Sequence, residues 1–411
     1  MNISSFIARR IAFNQQKSFS RFIIRLSILA TIISVSTMII TLSFVNGFQQ
    51  TVGTKVFSFW GHVRIQYRQP AQAAIAEELP IYANDTIVRA VNALPGVASI
   101  HPFATKNAIL KTTDEMDGVL LKGLDGSYDV KNIKPFLKQG RWLQFNDTSY
   151  AREIVISTFT ANQLNLKLSD RLLLYFVRPD GTLRPDKLTI VGIYKTGIED
   201  FDKIFALGDI KLIRRLNGWK ENEIGGYEIF LKDYREMDEV SETIYDNSSF
   251  PPLWETKTTT EIYPYIFDWL NIISYNGRIL IVIVTVIVII NFITCLIILV
   301  LERVRMIGVM KALGASDWAI QKIFLYHSAL ITFAGILIGT AISLGLLWLQ
   351  IKTGFVKLKE DQYFIDTAAV SINWNQVLLV VGTTLLISIL VLLIPSFLVK
   401  KIQPIKAIRF N

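Results

Sequence analysis

The sequence predicts a membrane α-helical protein with four transmembrane helices and a large extracytoplasmic α+β domain inserted between helices 1 and 2. Three observations carry this. Four apolar runs, at residues 26–45, 279–301, 323–349 and 377–399, reach the roughly 20 residues that cross a bilayer. A segment of mixed composition, residues 46–276, separates the first two. Cationic residues gather beside the runs. At 51% hydrophobic and 19% charged, the chain is too apolar for a soluble enzyme and too charged for a bare helix bundle.

Residues 1–25 hold Arg9, Arg10, Lys17, Arg21 and Arg25 and no acid. The run that follows is too long for a cleavable leader and no small-x-small site closes it, so it is read as an uncleaved anchor. The tail, 400–411, carries Lys400, Lys401, Lys406 and Arg409. The loop 302–322 sets Arg303, Arg305, Lys311 and Lys322 against Glu302 and Asp317, whereas the loop 350–376 is balanced. The positive-inside rule then puts both termini and the 302–322 loop in the cytoplasm, with 46–276 and 350–376 outside. The long segment has 26 basic and 29 acidic residues, and the rest of the chain has 17 and 5. The net charge of +9 is thus a topology signal and implies no nucleic-acid partner.

No catalytic motif appears. Cys295 is the sole cysteine, and His62, His101 and His327 are far apart, with no metal-ligand spacing. There is no GxxxxGK[ST] loop and no GxSxG elbow. The chain is read as a non-enzyme with neither metal nor cofactor of its own.

In the outer segment, 61–67 reads as a strand and 84–94 as a helix, with Asn84 or Asp85 as N-cap and Pro95-Gly96 as stop. Strands follow over 97–112 and 118–125, and again at 225–232 and 253–260, with an exposed helix at 235–247 between the last two. The middle, about 141–220, reads as an inserted, mostly β subdomain. Its two apolar strands flank a ten-residue polar connection, 178–187, containing Pro179-Asp180-Gly181, which predicts a hairpin with an extended tip.

Aromatic residues flank the first two spans, and both helices are expected to continue past the bilayer surface. Phe44, Phe48, Phe57, Trp60, Phe267, Trp269 and Leu270 fit either an interfacial belt or an apolar cleft for a lipid-bearing cargo. Gly335 and Gly339 form a GxxxG that permits close helix packing. The short helix at 301–316 puts Met306, Val309, Met310 and Leu313 on one face and Val304, Gly308, Ala312 and Ala315 on another. It is either an interfacial turn or a surface offered to a cytosolic partner.

The stretch Glu302–Ala315 resembles the E-x-x-R-x-I-G-x-x-K-A-L-G-A coupling segment of the FtsX/MacB-type permeases of ABC transporters, with Glu302, Arg305, Ile307, Gly308, Lys311, Ala312, Leu313, Gly314 and Ala315 in place. Arg303 lies within it. The terminal QPIKAIRF is similar to the family's P-x-x-A-L-R ending, with Ile408 for Leu. The first span, its Asn46-Gly47-Phe48 exit, the strand at 61–65 and the subdomain strands resemble the lipoprotein-releasing branch.

The resemblance implies a subunit of the bacterial inner membrane with a MacB-like periplasmic domain. It implies a second permease (the same chain or a paralogue) and an ATPase dimer, binding ATP and Mg, docked under the coupling helix. Membrane lipids surround it, and an acylated lipoprotein would be lifted out and passed to a periplasmic carrier. In carrier-binding relatives a hook joins two subdomain strands. The matching place is 178–187, with Arg178, Pro179, Arg184, Pro185 and Lys187, which reads equally as an ordinary hairpin. The alternatives are a MacB-like efflux permease, an FtsX-like regulator of cell-wall hydrolases and, in another class, a four-span sensor.

Overall fold

The computed structural model describes residues 19–69, 78–112, 115–146, 149–177 and 181–396. In chain order its elements begin with α1 (Phe19–Trp60), β1 (Val63–Tyr67), β2 (Ile81–Tyr82), α2 (Asp85–Asn92), β3 (Val97–Lys111), β4 (Met116–Leu124), β5 (Leu137–Gly140) and β6 (Glu153–Ser157). Next come α3 (Thr158–Gln163), β7 (Arg171–Val177), β8 (Leu183–Tyr194), α4 (Glu199–Ile204), β9 (Phe205–Asp209), α5 (Ile210–Asn217), β10 (Glu223–Ile224) and β11 (Gly226–Leu231). The chain continues with α6 (Met237–Tyr245), β12 (Trp254–Thr258), α7 (Thr259–Ile262), α8 (Pro264–Glu302), α9 (Val304–Ala312), α10 (Asp317–Thr353), α11 (Glu360–Tyr363) and α12 (Trp374–Ser396). The N-terminal residues 1–18 and the tail from 397 lie outside the described residues, and with them most of the flanking positive charge.

The chain divides into two compact units. A membrane unit contains residues 19–50, 270–357 and 367–396 of the described chain, and an outer unit contains 51–269 and 358–366. The four long helices α1, α8, α10 and α12 are apolar enough to cross a membrane. With 42 and 39 residues, α1 and α8 are each about 60 Å long at roughly 1.5 Å per residue, twice the hydrocarbon thickness. Both therefore outrun their apolar runs, as their aromatic flanks predict.

The core of the membrane unit joins Val35 and Ile39 of α1, Phe292 and Leu296 of α8, Phe324 and Ile336 of α10, and Val380 and Val391 of α12. Hydroxyls and side-chain amides supply polar contacts, among them Asn46 Nδ2 donating to Gln376 Oε1 at 2.5 Å. Ser27 Oγ donates to Asn291 Oδ1 at 2.9 Å, and Ser36 Oγ to the Gly339 carbonyl at 2.8 Å. Gly47 is required because a side chain there would run into the Ala369 carbonyl.

In the outer unit the sheet order is β12-β1-β11-β3-β4-β9-β6-β8-β5, with β7 also pairing β3 and β8. The 15-residue β3 joins its two parts. Residues 97–103 pair with β11, whereas 104–111 pair with β4 and, at their end, β7. The strands of 141–220 therefore do not form a sheet of their own, since β9 runs parallel to β4 and β7 lies against β3. Asn84 proves to be the cap of α2, accepting from Thr86 N and Ile87 N.

Three expectations need adjusting. The strand read at 253–260 stops at Thr258, where a Thr258/Glu261 capping box starts α7. The helix read as exposed buries Met237, Val240 and Ile244, at i, i+3 and i+7. The ten-residue connection shortens to five, because Leu183 to Lys187 extend β8 and pair with Leu173 to Val177.

Candidate functional site

The most built feature of the membrane unit is the turn between α8 and α10. The chain breaks at Arg303, whose N–H donates to Val300 O, and α9 restarts at Val304. It ends in a Schellman motif: Ala315 N donates to Met310 O and Gly314 N to Lys311 O. Gly314 sits at φ +88°, open to a glycine and strained for other residues. Ser316 then caps α10, accepting from Ala319 N. Lys311 Nζ meets Asp317 Oδ1 at 2.8 Å across the turn. The pattern K-A-L-G-A-S-D thus specifies a helix stop, a reversal and a helix start within seven residues.

The packing of α9 differs from the expected face. Ile307 and Gly308 are buried, with Met306, Met310 and Ala315 partly packed beside them. Val309 is 49% and Leu313 82% exposed, so the apolar stripe is split between the bundle and the surface. Glu302 and Arg305 are also exposed. Leu313 is thus an exposed leucine held on a turn of defined geometry, and Trp318, five residues on, is 54% exposed.

Gly335 and Gly339 face α1. A Cβ on Gly335 would lie 2.8 Å from Thr31, and one on Gly339 2.9 Å from the Ile32 carbonyl. The aromatic set divides between the units. Phe44 and Phe48 are half-buried and Leu270 buried in the membrane unit. Phe57 and Trp60 are core residues of the outer unit: Phe57 stacks on Phe267 at 5.5 Å, and Trp60 meets Phe205 edge-on at 4.9 Å. Trp269 is half-buried against Phe364. Of the hairpin residues, Arg184, Pro185 and Lys187 lie on β8, whereas Arg178 and Pro179 fall outside the described residues.

Sequence reasoning missed an ionic anchor at the end of α1. Lys122 on β4 and Glu228 on β11 are fully buried and paired at 2.7 Å, and Lys122 Nζ also donates to the Phe59 carbonyl. A cation thus meets a carbonyl in the last turn of α1, the negative end of its dipole. Burial pushes the Lys122 ammonium down and the Glu228 carboxyl up, and each charge opposes the other's shift. Beside them, the Arg64 guanidinium lies between the Trp60 and Phe103 rings, 4.4 and 4.3 Å from their centroids. It pairs with Glu78 at 2.8 Å, and Glu78 also accepts from Thr105 N and Oγ1. The sequence signal was a lone charge inside each apolar strand, at Arg64, Lys122 and Glu228.

The chain matches two family models. The model of the MacB-like periplasmic core domain matches residues 26–244, and that of the FtsX-like permease C-terminal domain matches 278–404. The lipoprotein-releasing system transmembrane protein LolC of Neisseria meningitidis is 22% identical, with 98% of each chain covered. LolE of Haemophilus influenzae is 24% identical, again with 98% of each covered. The periplasmic region of MacB from Actinobacillus actinomycetemcomitans aligns with 50% of this chain and 92% of its own, at 12% identity and a TM-score of 0.35.

Proposed function

The chain belongs to the MacB-like, FtsX-like permeases of ABC transporters, and from that membership we propose that it releases acylated lipoproteins from the inner membrane. Similarity to lipoprotein-releasing proteins along 98% of the chain is the observation that carries this reading. The work is mechanical. Withdrawing an acyl chain costs about 0.8 kcal/mol per buried CH₂, so a multi-chain anchor needs an external energy source. No phosphate-binding loop occurs in the sequence. ATP and magnesium are therefore assigned to a separate ATPase dimer, and this subunit is non-catalytic.

In this reading the ATPase docks on the turn built by Glu302, Arg303, Arg305, Gly308, Lys311, Leu313, Gly314 and Ala315, with Leu313 as a knob. A second permease completes the membrane part, both termini are cytoplasmic and the outer domain is periplasmic. Phe44, Phe48 and Leu270 handle acyl chains, whereas Phe57, Trp60, Phe267 and Trp269 fix the helix ends. The β7–β8 hairpin, with Arg184, Pro185 and Lys187, hands the cargo to a soluble carrier.

The test is depletion of the protein in its host, followed by membrane fractionation. Accumulation of outer-membrane lipoproteins in the inner membrane, before general envelope failure, is the expected result. An unchanged distribution alongside altered drug sensitivity or division would instead point to an efflux or cell-wall role.

A further inference from the structure

Residues 358–366 lie between α10 and α12 in the chain, yet they pack as part of the outer unit. The segment is closed on itself. Leu358 N donates to Asp366 O at 2.8 Å, and Phe364 N donates to Glu360 O. Phe364 takes a left-handed φ of 58°, an uncommon state for a bulky residue.

Several contacts fasten the loop. The Glu360 carboxylate meets Lys195 Nζ at 2.5 Å. The Phe364 carbonyl accepts from Lys55 Nζ, on the outer end of α1, at 2.7 Å. The Phe364 ring sits edge-on to Trp269, near the start of α8, at 5.4 Å. The seat is prepared from the other side. Gly197, at φ +76°, leaves room that a side chain would take from Glu360 and Lys55. Asp202, a buried carboxylate, holds that turn by accepting from Thr196 N, Thr196 Oγ1 and Gly197 N. One loop thus touches the outer ends of α1 and α8 and the end of β8.

The chain reaches this loop directly from the coupling turn. Ser316 caps α10, which runs unbroken from Asp317 to Thr353, and Gly354 closes it in a left-handed cap. Covalent continuity therefore joins the exposed Leu313 turn to the 358–366 seat through one helix. We propose that the 358–366 loop is a latch carrying the movement of α10 to the outer domain, with Lys195 and Glu360 as positioning residues for the release reaction. The proposal rests on the functional reading above.

The pair is partly exposed, at 42% and 27%. Such pairs contribute little to folding, so breaking it should spare stability and be read in coupling. The experiment uses the permease assembled with its ATPase in lipid nanodiscs and compares wild type, Lys195→Glu, Glu360→Lys and the double exchange. Each single variant should keep ATP hydrolysis and the melting midpoint but lose ATP-driven lipoprotein release by on the order of fivefold or more. The double exchange should restore release.

A cargo-independent readout runs in parallel: the ATP-driven distance change between spin labels at Lys138→Cys and Asn375→Cys, in a Cys295→Ala background. Wild-type-like release and distances in both single variants, or a double exchange no better than the singles, would overturn the latch. Absence of wild-type release, with distances that still follow the exchange pattern, would overturn the functional reading and leave the latch standing.

Discussion

Along α1, residues 27–39 and residues 57–60 are held by different forces. The first stretch meets Gly335 and Gly339 at close range and is pinned by serine hydroxyls. The second ends on a buried lysine, among aromatic rings and two ion pairs. In lipid, apolar contact between helices gains little over contact with acyl chains, so small residues and close packing hold them. In a water-facing domain, buried charges cost desolvation and return geometry, because each fixes its partner's position. The first kind of contact rests on close backbone approach. The second is an attachment of the end of α1 built on charge placement within the outer unit.

The largest effect should come from removing one charge of that attachment. Lys122→Met leaves Glu228 buried without its hydrogen-bonded partner, with only the neighbouring Arg64 charge to offset it, and should cost about 3–5 kcal/mol in denaturant unfolding followed by tryptophan fluorescence. Adding Glu228→Leu should recover most of it, since an apolar pair of similar volume suits the site. Burial already pushes the Glu228 carboxyl above its ordinary 4.5, so in the single variant the folded state holds that proton better than the unfolded chain. Stability of Lys122→Met should therefore fall as pH rises above about 4.5. Equal losses in the single and double variants would mean that the pair is not what holds this site.

Next is His62. Its Nδ1 accepts from Leu231 N at 3.0 Å, its ring stacks on Phe57, and burial pushes it down to about 4. A depressed base is stabilising while neutral. Its contribution is complete above the ordinary 6.5 and is lost as pH falls to about 4, in all about 3 kcal/mol. The outer unit should weaken over that window, and His62→Gln should flatten the slope. An unchanged slope would move the titration to another group.

A smaller effect is expected in the membrane unit. Gly339→Leu should cost roughly 1–3 kcal/mol by overpacking against Ile32 and Val35, read as a lower melting midpoint in detergent. Gly345→Leu, where an added Cβ meets nothing within 4 Å, should be nearly neutral. If both behave alike, close packing is not what holds α1 there.

Much of this was legible in the residues. The spans follow from four apolar runs, and the turn at 303–317 is written in Gly314, Ser316 and Asp317, because caps and left-handed glycines are local devices. The ionic anchor was not legible. Arg64, Lys122 and Glu228 come from strands far apart in sequence, and only the sheet register brings Arg64 opposite Glu228. Nor could periodicity choose which side of α9 is buried, since Val309 and Leu313 are as apolar as Ile307. The attachment of 358–366 to the outer unit depends on Lys195, more than 160 positions away, and no local pattern marks it.

The central claim is ATP-driven lipoprotein release through the exposed turn, and Leu313→Glu tests it most directly. Leu313 is solvent-exposed, so its replacement should change stability by no more than about 0.5 kcal/mol. The measurement is release of a radiolabelled acylated lipoprotein from proteoliposomes holding the permease, its ATPase and a soluble acceptor. Wild type should release the lipoprotein only with ATP, and Leu313→Glu should remain folded and release none. Full release by Leu313→Glu, or no ATP-dependent release by wild type, would contradict the account.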